Sequence, residues 1–187
     1  FGTILKYESK SNITKIIVPN GTLAGIYYVN LTAKWTNMND TLNTTSNSIL
    51  VNVTSNPKIR VLEDNITKII PVGKKDNETF TIKSIGNDNA TGVNITCKNG
   101  EVCNNFNVSF SQQNFSSIPV GEIRYVNVSF DVPTNYLAGT HNGTIEISWY
   151  PNSSTQLQVF IMVPANITWV HQPTEIYKSV LQNSTGY

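Results

Sequence analysis

Nine N-x-S/T triplets in this chain carry a large apolar residue at their centre: Ile13, Leu31, Val53, Ile66, Ile95, Val108, Phe115, Val128 and Ile167. In extended backbone, residues i and i+2 share one face and i+1 takes the other. Each such triplet therefore turns an Asn and a hydroxyl toward solvent and an apolar side chain toward a core. The pattern suits half-buried strands whose outer face accepts sugar. Seventeen triplets occur in all, at Asn12, Asn20, Asn30, Asn39, Asn43, Asn52, Asn65, Asn77, Asn89, Asn94, Asn107, Asn114, Asn127, Asn142, Asn152, Asn166 and Asn183, none with Pro in the middle. With 25 Asn and 37 Ser plus Thr among 187 residues, random placement gives about five acceptor triplets. The excess predicts a heavily N-glycosylated chain, with covalent N-glycans the only added groups and no cofactor.

Runs of Thr, Val, Ile, Tyr and Phe separated by Asn, Gly, Pro and Ser predict an all-β chain. Strands are expected at 13–18, 26–35, 48–54, 58–63, 79–85, 92–97, 106–111, 122–132, 143–149 and 156–163. No stretch carries a sustained helical period. Turns about ten residues apart point to immunoglobulin-like sandwiches.

The string at 18–35 returns at 132–149 with an offset of 114. Val18-Pro19, Leu23-Ala24-Gly25 and Trp35 meet Val132-Pro133, Leu137-Ala138-Gly139 and Trp149. Each copy reads as a strand end, a corner, and a strand closing on a Trp expected in a core. The second copy has a long lead-in, so 58–164 is expected to form one complete seven-strand sandwich. Only seventeen residues precede Val18. The first unit, 1–57, therefore holds the later strands of a sandwich and lacks the earlier ones. A sheet with missing strands leaves backbone groups and half a core uncovered.

The tail 165–187 is one candidate to supply the missing strand, through Ile167, Trp169, Val170, Ile176, Tyr177, Val180 and Leu181. The N-terminal Ile4, Leu5 and Tyr7 are the rival donor. Donation between chains makes a head-to-tail interface that does not close, and so a polymer.

The Val-Pro, Leu-Ala-Gly and Trp pattern with dense acceptor triplets resembles immunoglobulin-like domains of archaeal cell-surface proteins. With the short first unit, the chain is similar to subunits of crenarchaeal thread filaments; S-layer proteins share the domain style. The resemblance implies glycosylated sandwich subunits joined by strand donation. It implies copies of the same chain as partners, with other cell-surface glycans or proteins as further candidates. A cell-surface binding or S-layer module without filament assembly is the alternative reading.

The chain is expected to be extracellular, at the cell surface, and an even cysteine count in a secreted chain favours a disulfide; Cys97 and Cys103, which flank a turn-forming Asn99-Gly100, are expected to pair. The chain begins at Phe1, as a processed or excised form with its signal peptide removed would. Thirteen basic residues against twelve acidic ones predict no nucleic-acid partner. No apolar run reaches the roughly 18 residues of a membrane helix, so no membrane insertion is expected. Motifs for nucleophilic, metal-dependent or phosphate chemistry are absent, and no catalytic or metal residue is assigned. His141, in a turn-like string, and His171 are expected to be solvated. The Asp88 loop is expected to be a plain polar turn.

Overall fold

The structure, a computed structural model, describes residues 3–5 and 8–165. Within them lie eleven strands and one short helix: β1 (Gly25–Thr36), β2 (Leu42–Val53), β3 (Ile59–Val61), β4 (Asn65–Ile69), β5 (Lys75–Ser84), β6 (Ala90–Asn99), α1 (Glu101–Asn105), β7 (Asn107–Phe110), β8 (Asn114–Ile118), β9 (Ile123–Asp131), β10 (Gly139–Tyr150) and β11 (Ser153–Val163). The chain is all-β with sandwich-like sheets. β3 to β11 form a five-stranded sheet, β4-β11-β10-β6-β8, facing a four-stranded sheet, β3-β5-β9-β7. β1 and β2 form a separate two-stranded sheet.

Alternation builds the sandwich core. Phe80 and Ile82 on β5, Val126, Val128 and Phe130 on β9, Ile145, Ile147 and Trp149 on β10, and Leu157, Val159 and Ile161 on β11 are all buried. Their neighbours in sequence face outward, as period two requires. All strand pairs are antiparallel except β4 with β11, which run parallel from Gln158↔Asn65 to Met162↔Ile69.

Several expectations need correction. Residues 13–18 form no strand. The sandwich has nine strands rather than seven, because β4 and β8 also pair. β4 reads Asn-Ile-Thr-Lys-Ile, and Lys68 breaks its apolar alternation. The Lys68 amine instead lies 3.2 Å from Asp76 and 3.0 Å from Glu78. After Asn99-Gly100 the chain makes one turn of helix, α1, which carries Cys103. Gly100 takes φ +90, and a Cβ there would stand 2.6 Å from the Asn142 carbonyl oxygen. Only glycine lets α1 sit so close to β10.

The two-stranded sheet is tied to the sandwich at one loop. The Asn87 side chain accepts from the Asn56 N–H (2.7 Å) and donates to the Thr54 carbonyl (3.0 Å). Its backbone carbonyl accepts from Ala24 N–H at 2.8 Å. Gly86 leaves room for this crossing, since a Cβ there would meet Asn56 O at 2.3 Å. Trp149 Nε1 closes the junction by donating to Pro57 O at 3.1 Å.

Candidate assembly surface on the first hairpin

β1–β2 and β10–β11 are the same hairpin built twice. Each begins at a glycine with positive φ, 154° at Gly25 and 147° at Gly139. Those glycines pair with Val53 and Val163. Register then equates Tyr27, Val29, Leu31 and Trp35 with His141, Gly143, Ile145 and Trp149, and Ile49, Val51 and Val53 with Val159, Ile161 and Val163.

Burial separates the two copies. In the sandwich, all of these β10 and β11 positions are buried. In the first hairpin, Tyr27 is 39% exposed, Leu31 37%, Ile49 38% and Trp35 46%. Trp35 is therefore not the core residue its repeat position suggested. Among the described residues, no second sheet covers it. Burying the rest of these four side chains would contribute about 1 kcal/mol each.

The hairpin edges are open as well. β10 lies between β11 and β6, and β11 between β10 and β4. Among the described residues, β1 and β2 pair only with each other. A lone two-stranded hairpin is marginally stable in water. What β4 supplies to β11, a short parallel strand, has no counterpart beside β2 among the described residues.

A signal for that counterpart lies in the sequence. Residues 12–17, Asn-Ile-Thr-Lys-Ile-Ile, are identical to residues 65–70, which contain β4. Comparing the chain with itself at an offset of 53 finds the match; the offset of 114 hides it. The two copies sit in opposite environments. Ile66 and Ile70 are 3% and 1% exposed, whereas Ile13 and Ile17 are 95% and 71% exposed.

The N-terminal residues run along the uncovered face. Thr3, Ile4 and Lys10 face the hairpin tip, Ala33 to Met38, across an open cleft of about 1050 Å³. Ile16, Ile17 and Val18 lie over Tyr27, Val29, Val51 and Val53 around an apolar gap of about 170 Å³. Ile4 and Leu5 are exposed and outside any strand. Tyr7 and the tail candidates Ile167, Trp169, Val170, Ile176, Tyr177, Val180 and Leu181 lie outside the described residues, with the triplets at Asn166 and Asn183.

Fifteen acceptor Asn are described, and all but the half-buried Asn43 are exposed. Asn77, Asn107 and Asn127 share the outer face of the four-stranded sheet. Asn65, Asn94, Asn114 and Asn142 share that of the five-stranded sheet. The atom that takes sugar is the amide Nδ2. Among the described residues, Nδ2 donates a hydrogen bond only at Asn37, Asn87 and Asn105, none of them in an acceptor triplet.

Cys97 and Cys103 form a disulfide with 5.2 Å between Cα atoms. His141, expected to be solvated, is buried on β10 instead. Its Nδ1 meets Glu101 at 2.5 Å and its Nε2 meets Leu137 O at 3.0 Å, while its ring packs edge-on to Tyr136. This cluster fastens α1 to the corner before β10. His171 lies outside the described residues. Asp88 accepts from Ser55 and from the Asn89 N–H, which hold its carboxyl below the usual value. No helix among the described residues is long and apolar enough to cross a membrane.

No known family profile matches the chain, and no curated protein does. Similar solved structures include a family 123 glycoside hydrolase from Clostridium perfringens (TM-score 0.45, 12% identity, covering 57% of this chain and 27% of that one). A PapD-like domain of human CEP192 gives 0.42 and 10%, over 86% and 99% of the two chains. The sialic acid binding region of a Streptococcus sanguinis SK1 adhesin gives 0.39 and 9%, over 72% and 37%. The chain thus spans about a quarter of the hydrolase's length. At these TM-scores the likenesses carry no argument about function.

Proposed function

We propose that this chain is a structural, non-enzymatic subunit of an extracellular, N-glycosylated filament, of the kind crenarchaeal thread subunits make. Its two units are immunoglobulin-like, and the first is completed by a strand from another copy. The observation that carries this reading is the first hairpin: the twin of a buried one, with its apolar face half exposed and, among the described residues, both edges unpaired. Strand addition joins such an edge through main-chain hydrogen bonds and seats alternate side chains on the open face. Residues 12–17 are a donor of suitable sequence, since the identical residues 65–70 contain β4, a parallel edge strand of the sandwich. The tail 165–187 is the second candidate. A donor and an acceptor on different surfaces of one chain give head-to-tail growth without closure.

The contact of Ile16–Val18 with their own hairpin favours a second reading, a cell-surface module that covers its first unit from within the same chain. Electron microscopy of purified chain, refolded dilute and then concentrated, separates the two. Thin unbranched threads that survive moderate denaturant support the filament. Single particles at every concentration support the module and refute the filament.

A further inference from the structure

Ser129 is the third residue of the triplet Asn127-Val128-Ser129. It is 8% exposed, and its Oγ is buried without a hydrogen-bond partner. A buried hydroxyl left unpaired is destabilising, and alanine would serve the fold better. Its cross-strand neighbours on the outer face, Asn77 on β5 and Ser109 on β7, make no hydrogen bond to it. Its place in an acceptor triplet gives the hydroxyl a use.

The folded chain withholds that triplet from an enzyme. β9 is an interior strand, paired with β5 on one side and β7 on the other. Asn127 faces Thr79 on β5. On its other side its N–H donates to Ser111 Oγ at 3.0 Å, and its carbonyl accepts from the Ser111 N–H at 2.8 Å. Lifting the triplet out would break two ladders, and in place the Ser129 hydroxyl is covered. Yet the Asn127 side chain itself points to solvent, so a sugar added earlier fits the finished sheet. The triplets at Asn39 and Asn152 differ, with Asn39 in the β1–β2 loop, Asn152 in the β10–β11 turn, and Thr41 and Ser154 both exposed.

We propose that Asn127 is glycosylated before β9 enters its sheet, and that Ser129 is retained for that reaction rather than for the fold. This rests on the chain being an N-glycoprotein. The donor is an oligosaccharide linked through phosphate to a lipid, and a membrane-bound transferase supplies the base. Asn127 Nδ2 attacks C1 of the first sugar, the bond from C1 to the phosphate oxygen breaks, the lipid phosphate leaves, and the amide gives one proton to the base.

Two measurements test this. In the first, unglycosylated full-length chain is offered to transferase-bearing membranes with lipid-linked oligosaccharide, either folded or while being translated, and glycopeptides are read by mass spectrometry. Asn39 and Asn152 are expected to be modified in both states, Asn127 only during translation. Equal modification of Asn127 on the folded chain overturns the proposal. In the second, Ser129→Ala is expected to abolish sugar at Asn127 while raising the thermal midpoint of the unglycosylated protein. A lowered midpoint shows that the fold needs the hydroxyl, and also overturns it. Ser84, the other buried hydroxyl without a partner among the described residues, lies in no triplet and is the control: Ser84→Ala should raise the midpoint and leave all glycans in place. An empty Asn127 beside occupied Asn39 and Asn152, in chain from a glycosylating archaeal host, sinks this proposal alone. No sugar on any triplet sinks the glycoprotein reading as well.

Discussion

The repeated hexapeptide provides an internal experiment, because one residue type in one sequence sits in two environments. Ile66 is 3% exposed in the sandwich, and Ile13 is 95% exposed ahead of the first hairpin. Truncating a buried isoleucine to alanine costs about 2–4 kcal/mol, from lost transfer energy and the cavity left behind. With a urea slope of about 1–3 kcal/mol/M, Ile66→Ala should lower the unfolding midpoint of the monomer by roughly 1–2 M. Ile13→Ala should leave it within about 0.5 kcal/mol, as an exposed position does. In a polymer the prediction reverses for Ile13. If residues 12–17 seat beside a neighbour's β2 as β4 seats beside β11, Ile13 becomes buried at every junction. The same truncation then weakens each junction about 30- to 700-fold. Circular dichroism in urea reads the monomer, and light scattering against urea reads the polymer. Equal destabilisation of the monomer by both substitutions would mean the strand is already docked in its own chain. An unchanged polymer would mean that residues 12–17 are not the donor.

Other consequences follow from the sandwich. Gly143→Ala places a Cβ 2.8 Å from Val102 Cβ and should cost about 1–3 kcal/mol by overpacking, read as a lower thermal midpoint. Reducing the Cys97–Cys103 bond opens a short loop and should cost about 2 kcal/mol, with faster proteolysis near α1. Hydrogen bonding to Glu78, and then to Asp76, holds Lys68 above its ordinary value. Glu78 lies below its own, chiefly through Lys68, and Asp76 below its own, first through the Asn77 N–H and then Lys68. Lowered carboxyl values stabilise the fold above the unfolded values, near pH 4, and that contribution fades as pH falls through the folded ones. The raised Lys68 value contributes until pH climbs past its own range above 10. Both carboxylates keep nearly half of their side-chain surface in solvent, so the network is screened and Lys68→Met should cost only about 0.5 kcal/mol at neutral pH. The deficit should vanish in acid, as urea unfolding across pH 2–7 would reveal.

Much of the β architecture was legible because Asn, an apolar residue and a hydroxyl at successive positions coincide with the strand period. Ile66, Ile95, Phe115 and Val128 are buried where their triplets placed them, with Asn65, Asn94, Asn114 and Asn127 outside. β4 was missed because Lys68 occupies an inward position, paid for by two carboxylates that only the fold brings near. α1 was missed because five residues are too few to show a helical period, and its place depends on contacts between Gly100, Val102 and Gly143. His141 looked like a turn residue because Glu101, which meets its ring from α1, is distant in sequence, and nothing local shows that the chain folds Tyr136 back against it. The hairpin repeat was legible from Leu-Ala-Gly and Trp. The exposure of Trp35 was not, since a strand pattern marks which face seeks burial and not whether a partner sheet exists.

The central claim, that a second copy completes the first hairpin, meets its most direct test in molar mass. Light scattering on refolded intact chain, on chain lacking residues 1–17 and on chain lacking 165–187 measures it. The account predicts long polymers from the intact chain and monomers from one truncated form. A stable, cooperatively folded monomer from the intact chain at every concentration would contradict it.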